Sequence, residues 1–177
     1  KRKIQDMTKR REFIRKSAIG TAGIVIGGMG FSSKTYGSII GSNERVNIAV
    51  IGIRGQGGGH INNWCTLKDN RNVRLKTICD VDEQYFEEKA RTVFEKTGEK
   101  VVTQWDMRKV FDDKEIDAVS FATPNHWHAL GTIWACQAGK HVYVEKPASH
   151  NVFEGRKMVE AARKYNVRVQ TGFQNRS

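Results

Sequence analysis

From Arg45 onward, short runs of β-branched and apolar residues alternate with longer amphipathic stretches. Val46 to Ile51 reads as a strand buried on both faces, and Gly58 or Gly59 opens a helix to about Lys68. Val73 to Cys79 forms a second strand. Asp82 can cap a helix whose inward face is Phe86, Ala90, Val93 and Phe94, ended by Gly98. Val101 to Gln104 is a weaker third strand, with a short helix near Asp106–Phe111 after it. Ala118 to Ala122 is the fourth strand. The helix after Asn125 buries Leu130, Ile133, Trp134 and Ala138 and stops at Gly139. His141 to Val144 is the fifth strand. Asn151 and Glu154 give a capping-box-like start to a helix through Tyr165, and Val167 to Gln170 is the sixth strand. Such alternation predicts an α/β fold, a parallel sheet with helices on both faces.

Two of these strands end in chemically able residues. One runs into Thr123-Pro124-Asn125-His126-Trp127-His128, the next into Glu145-Lys146-Pro147. In open α/β sheets the carboxyl edge is where ligands bind, which makes Lys146 the leading catalytic candidate. After the first strand the chain reads Gly52-Ile53-Arg54-Gly55-Gln56-Gly57-Gly58-Gly59-His60. Glycines there permit a tight turn, close approach of backbone to a pyrophosphate, and close helix–strand packing, with the helix N-terminus facing the anion. Arg54 stands where a strict G-x-G-x-x-G has its second glycine. Asp80 ends the second strand, 21 residues past Gly59, where a carboxylate can accept hydrogen bonds from the adenosine ribose. A carboxylate there repels a 2′-phosphate and favours NAD; Arg54 could partner that phosphate and keeps NADP open. The two sites together read as the phosphate and nicotinamide ends of one cofactor site.

Composition adds little. The 177 residues are 38% hydrophobic and 28% charged, enough for one domain with a real core. A net charge of +11 invites a nucleic-acid reading, but residues 1–16 hold eight basic and two acidic side chains, +6 of the total. The excess is concentrated in a tail, and no basic stripe interleaved with aromatics follows it, which argues against nucleic acid. Cys65, Cys79 and Cys136 fall in helix, strand and helix without C-x-x-C spacing and read as small buried residues. His126 and His128 are two apart and share no helix face, so no metal site is expected. His60, His141 and His150 belong to no constellation visible in the sequence.

The tail itself reads as an address. Lys9-Arg10-Arg11-Glu12-Phe13-Ile14-Arg15 resembles a twin-arginine export signal, with Lys9 where Ser or Thr is usual. The 14 residues from Ala18 to Phe31 include five glycines, too short and too weakly hydrophobic for a stable membrane span. Weak hydrophobicity after paired arginines fits that route and a periplasmic or exported protein. No clear cleavage site precedes Asn43, and Met7 stands where such a signal would begin. Residues 1–44 are thus read as export signal and linker, residues 45–177 as the cofactor domain.

The glycine turn, Asp80, Ala122-Thr123-Pro124-Asn125-His126-Trp127-His128 and Glu145-Lys146-Pro147 together resemble, in order and spacing, the Gfo/Idh/MocA oxidoreductases. Gly172 to Ser177 is similar to the ending of sugar-active exported members. The resemblance implies a Rossmann-like doubly wound parallel sheet, normally followed by a C-terminal α/β domain that is absent from this chain and often mediates homo-oligomers. It implies Lys146 near the nicotinamide and the reacting carbon, Glu145 on the nicotinamide ribose, and a cis Lys146–Pro147 bond. Thr123, Pro124, Asn125 and His128 would line the cofactor, with Gly52, Arg54, Gly55, Gln56, Gly57 and Asp80 at its phosphate and adenosine end. An ammonium at the Lys146 position can polarise a sugar oxygen and stabilise a developing alkoxide.

Three functions follow from this. The parent is a sugar or polyol oxidoreductase, or a glycosidase or lyase that retains NAD and oxidises its sugar transiently, or a non-catalytic cofactor-binding remnant. The family's remaining Asp/His catalytic pair comes from the second domain, so this chain alone is expected to bind NAD weakly and not turn over.

Overall fold

The computed structural model describes residues 45–173; the export signal expected at 1–44 lies outside the described residues. The chain alternates β1 (Val46–Ile51), α1 (Gln56–Thr66), a one-turn α2 (Lys68–Arg71), β2 (Val73–Cys79), α3 (Phe86–Thr97), β3 (Val102–Gln104), α4 (Met107–Asp112), β4 (Ala118–Phe121), α5 (His128–Gln137), β5 (His141–Val144), α6 (Val152–Lys164) and β6 (Val169–Thr171). The six strands form one parallel sheet in the order β3-β2-β1-β4-β5-β6. The chain therefore winds outward from β1 in one direction and from β4 in the other. This is the doubly wound Rossmann arrangement expected from the alternation.

Each face has its own apolar layer. On one, Ile61 and Cys65 of α1 and Val93 of α3 pack on Val50, Leu75 and Ile78. On the other, α4, α5 and α6 bring Val110, Phe111, Ala129, Ala135, Cys136, Met158 and Ala161 onto Ala49, Ile51, Val119, Phe121, Val142 and Val144. Facing layers explain why β1 and β4 read as continuous apolar runs rather than alternating ones.

Several expectations need correction. α1 starts at Gln56, before Gly58 or Gly59, because Gly55 turns at φ 45° and the Gly57 N–H closes onto the Arg54 carbonyl at 2.7 Å. Of the expected inward face of α3, Val93 is buried and Phe86 and Ala90 pack partly buried beside it, but Phe94 is exposed. In α5 the fully buried residues are His128 and the small Ala129, Gly131, Thr132, Ala135 and Cys136; Ile133, Trp134 and Ala138 pack partly buried on the core as expected, while Leu130 is exposed. A Cβ on Gly131 would stand 2.7 Å from the Phe121 ring, so helix and sheet approach too closely for leucine there. β6 falls at Val169–Thr171, two residues later than its apolar pattern begins. Asp82 caps the 3-10 turn Glu83–Tyr85 that leads into α3 rather than α3 itself, its Oδ1 accepting the Gln84 N–H; the other caps agree with the sequence, Gly98 closing α3 in the left-handed conformation and Asn151 Oδ1 accepting the Glu154 N–H at 2.9 Å.

All three cysteines are buried thiols. Burial first, then the Asp80 and Asp106 charges, push Cys79 up to about 12, and burial takes Cys136 to about 11, so neither supplies a thiolate nucleophile.

Candidate functional site

The carboxyl ends of β1 and β4 are adjacent and their chains depart in opposite directions, which opens a crevice above them. Gly52 makes the crevice tight. Its φ is +82°, and a Cβ there would lie 2.7 Å from the Ala122 carbonyl oxygen and 2.8 Å from the Thr123 nitrogen. Gly57 brings the start of α1 equally close, since a Cβ on it would be 1.9 Å from the Gly52 oxygen. With no side chains there, the N-terminus of an 11-residue helix stands open over the strand ends.

Asp80 lies at the end of β2, held from three sides. Its Oδ2 accepts the Ile53 N–H at 2.9 Å, its Oδ1 accepts the Asp82 N–H at 3.1 Å, and its own N–H donates to the Gln104 carbonyl at 3.1 Å. The carboxylate is thus fixed beside the glycine turn. Arg54 does not plug that turn. Its guanidinium sits 4.6 Å over the Tyr85 ring and 3.8 Å from Asp82, on the flank of the crevice. The crevice is about 880 Å³, within the usual range for ligand sites. Gly52, Arg54, Gly55, Asp80, Thr123 and Pro124 line it, with Trp105, Trp127 and Trp134 adding apolar wall.

Thr123 Oγ1 is buried there with no protein partner, a polar atom that a bound group can satisfy. The bare glycine cradle, the fixed carboxylate and this orphan hydroxyl suit a dinucleotide.

The second half of the predicted site is arranged differently. The Lys146–Pro147 bond is cis. Lys146 is exposed, and Asn125 opens an exposed turn of 3-10 helix, Asn125–Trp127. His128 is buried, with Nδ1 2.6 Å from the Pro147 carbonyl oxygen and Nε2 2.8 Å from that of Thr123. Its ring thereby ties the loop after β4 to the loop after β5. Gln56 and Glu145 line a smaller cleft of about 280 Å³ rather than the main crevice. There Glu145 is buried, its Oε1 2.9 Å from His60 Nε2 and 3.5 Å from Gln56 Nε2.

That contact exposes what the sequence did not offer. His60, unassigned on spacing alone, sits between Ser120 of β4 and Glu145, with Ser120 Oγ 2.9 Å from its Nδ1. The available signal was a hydroxyl inside the otherwise apolar run Ala118-Val119-Ser120-Phe121.

Residues 46–173 match the family described as the oxidoreductase family, NAD-binding Rossmann fold. The chain belongs to the Gfo/Idh/MocA oxidoreductases. It is an NAD-binding Rossmann domain of that family. Over 169 residues it is 27% identical to a glycosyl hydrolase family 109 protein of Shewanella pealeana. Over 170 residues it is 28% identical to an alpha-N-acetylgalactosaminidase of Shewanella oneidensis. Each match takes in 86% of this chain but 36% of the relative, so the chain spans about a third of the length of the curated relatives it matches. Among solved structures, an NAD binding oxidoreductase from Klebsiella pneumoniae is 28% identical with a TM-score of 0.65, over 75% of this chain and 35% of that one. The WlbA dehydrogenase from Chromobacterium violaceum, solved with NADH and UDP-GlcNAcA, is 25% identical with a TM-score of 0.62, over 75% of this chain and 36% of that one.

Proposed function

We propose that this chain is the cofactor-holding part of an enzyme that removes a hydride from, or returns it to, a carbon of a sugar or polyol. The observation that carries it is the crevice at the β1/β4 switch point, with Asp80 fixed on one side and the unpartnered Thr123 hydroxyl on the other. Gly52, Gly55 and Gly57 clear the space for the pyrophosphate, and Asp80 receives the adenosine ribose hydroxyls. A 2′-phosphate would meet the carboxylates of Asp80 and Asp82, and Arg54 is already engaged by Asp82 and Tyr85, so NAD is preferred over NADP. Thr123, Pro124 and Asn125 line the path toward the second loop.

The nicotinamide supplies a two-electron hydride acceptor. Everything else at the reacting carbon is protein work. Lys146, exposed at the loop after β5, would hold the substrate oxygen: its amine takes the hydroxyl proton when hydride leaves, and the resulting ammonium stabilises and protonates the alkoxide that forms when hydride returns to the carbonyl carbon. Glu145 would hold the ribose that carries the ring from the cleft it shares with Gln56 and His60. In the full-length parent, NAD with a panel of sugars and polyols should give absorbance at 340 nm, and Lys146→Ala should abolish it. Full activity in Lys146→Ala would remove the proposed role.

A second reading is favoured by two curated relatives, a family 109 glycosyl hydrolase and an alpha-N-acetylgalactosaminidase. In it the sugar is oxidised, cleaved and reduced again on one retained NAD. Export by a twin-arginine signal, which moves folded proteins, fits this reading, because free NAD is scarce outside the cytoplasm. The parent would then cleave a p-nitrophenyl N-acetylgalactosaminide with no net NADH. Cleavage without net NADH selects this reading; stoichiometric NADH without cleavage selects the first.

A further inference from the structure

We propose that His60 is a positioning residue: with Ser120 behind it, it forms a buried strut that sets Glu145, and through Glu145 the peptide of Lys146. The inference rests on the dinucleotide reading above. It starts from three contacts in line. Ser120 Oγ lies 2.9 Å from His60 Nδ1, His60 Nε2 lies 2.9 Å from Glu145 Oε1, and Glu145 Oε2 accepts the Lys146 N–H at 3.2 Å. Ser120, His60 and Glu145 are 0%, 4% and 5% exposed, so the line lies at the buried floor of the cleft these residues share with Gln56. The edge of the Tyr143 ring, 5.4 Å away, closes one side of the imidazole.

The donor roles follow from the chemistry. An ionised carboxylate only accepts, so Nε2 carries the hydrogen toward Glu145. In a neutral imidazole Nδ1 accepts from the Ser120 hydroxyl. The strut ends on the residue before Lys146.

The order Ser–His–Glu resembles a hydrolytic relay, but Ser120 is mid-strand. It pairs with Val50 on one side and Tyr143 on the other, so its backbone N–H belongs to the sheet ladder and forms no oxyanion hole. The line carries orientation rather than nucleophilic attack. It also links α1 to the loop after β5, because His60 belongs to α1, whose first turn carries Gly57. A phosphate-induced shift of α1 would reach Glu145 directly.

The test compares a ligand that reaches the nicotinamide end with one that does not. The full chain and its His60→Leu, His60→Gln and Ser120→Ala variants are titrated with NAD and with AMP, and their melting temperatures recorded. His60→Leu should weaken NAD about tenfold while AMP changes by less than about twofold. His60→Gln, whose amide can still donate to Glu145, should recover NAD to within about threefold of the unmodified chain. Ser120→Ala should fall between them. Equal losses for NAD and AMP, no loss for either, or failure of Gln to do better than Leu would overturn the strut. If the unmodified chain binds NAD no more tightly than AMP, the dinucleotide reading itself fails, and that result is visible before any variant is compared.

Discussion

Gly57 is where the closeness of α1 to β1 can be tested most sharply. A Cβ there would lie 1.9 Å from the Gly52 carbonyl oxygen and 2.7 Å from its carbon, whereas ordinary contact begins at 3.4 Å. Both atoms are backbone, in a turn whose N–H is tied to the Cys79 carbonyl at 2.8 Å, so neither can rotate aside. To accept an alanine methyl, the first turn of α1 must move by more than an ångström, which lifts Ile61 and Cys65 from Val50 and Ile78. Overpacking of this kind costs roughly 1–3 kcal/mol, and contact with an immobile carbonyl puts Gly57→Ala at about 3 kcal/mol. For a domain of this size that lowers the melting temperature by about 10 °C. Gly59, two residues on in the same helix, has nothing within 4 Å of its Cβ position. Gly59→Ala should therefore stabilise by about 0.5–1 kcal/mol, since alanine costs less entropy in a helix interior. Thermal unfolding of the two variants beside the unmodified chain decides the matter. A Gly57→Ala melting temperature unchanged within a degree, or the same loss at both positions, would refute the packing argument.

Other consequences can be checked separately. Asp80→Ser should weaken NAD by about tenfold and narrow the preference for NAD over NADP, read by titration with each, because it removes both the ribose acceptor and the charge facing a 2′-phosphate. Burial raises Glu99, but hydrogen bonds from Arg45 and Lys68 outweigh it and hold the carboxyl below its ordinary value. Its contribution is therefore present above pH about 4.3 and lost as pH falls through the lower folded value. Glu99→Gln should cost on the order of 1 kcal/mol in urea unfolding at pH 7 and much less at pH about 3. An unchanged gap would exclude the ion cluster as its cause. Thr132 Oγ1 is buried without a partner in α5, so Thr132→Val should be neutral or stabilising by up to about 1 kcal/mol, read as melting temperature.

How much of this was legible follows from the range of each signal. β1, β2 and β5 have the bounds the sequence predicts, because each β-branched run gives way at its end to a glycine, an aspartate or a charged pair. The helix faces were less legible. In α5 the large side chains attract attention, but Gly131 against Phe121 decides which face meets the sheet, and that approach is a property of two elements together. The polar line through His60 is the extreme case, since its members are 60 and 25 residues apart and meet only when α1, β4 and β5 are assembled. A buried polar line adds stability only when every member is paired, and an apolar side chain at Ser120, between Val50 and Tyr143, would serve the sheet at least as well. Sheet stability alone therefore gives no reason for a hydroxyl at that position. Its hydrogen bond to His60 does, because it fixes the ring that holds Glu145, one residue before the lysine proposed for catalysis.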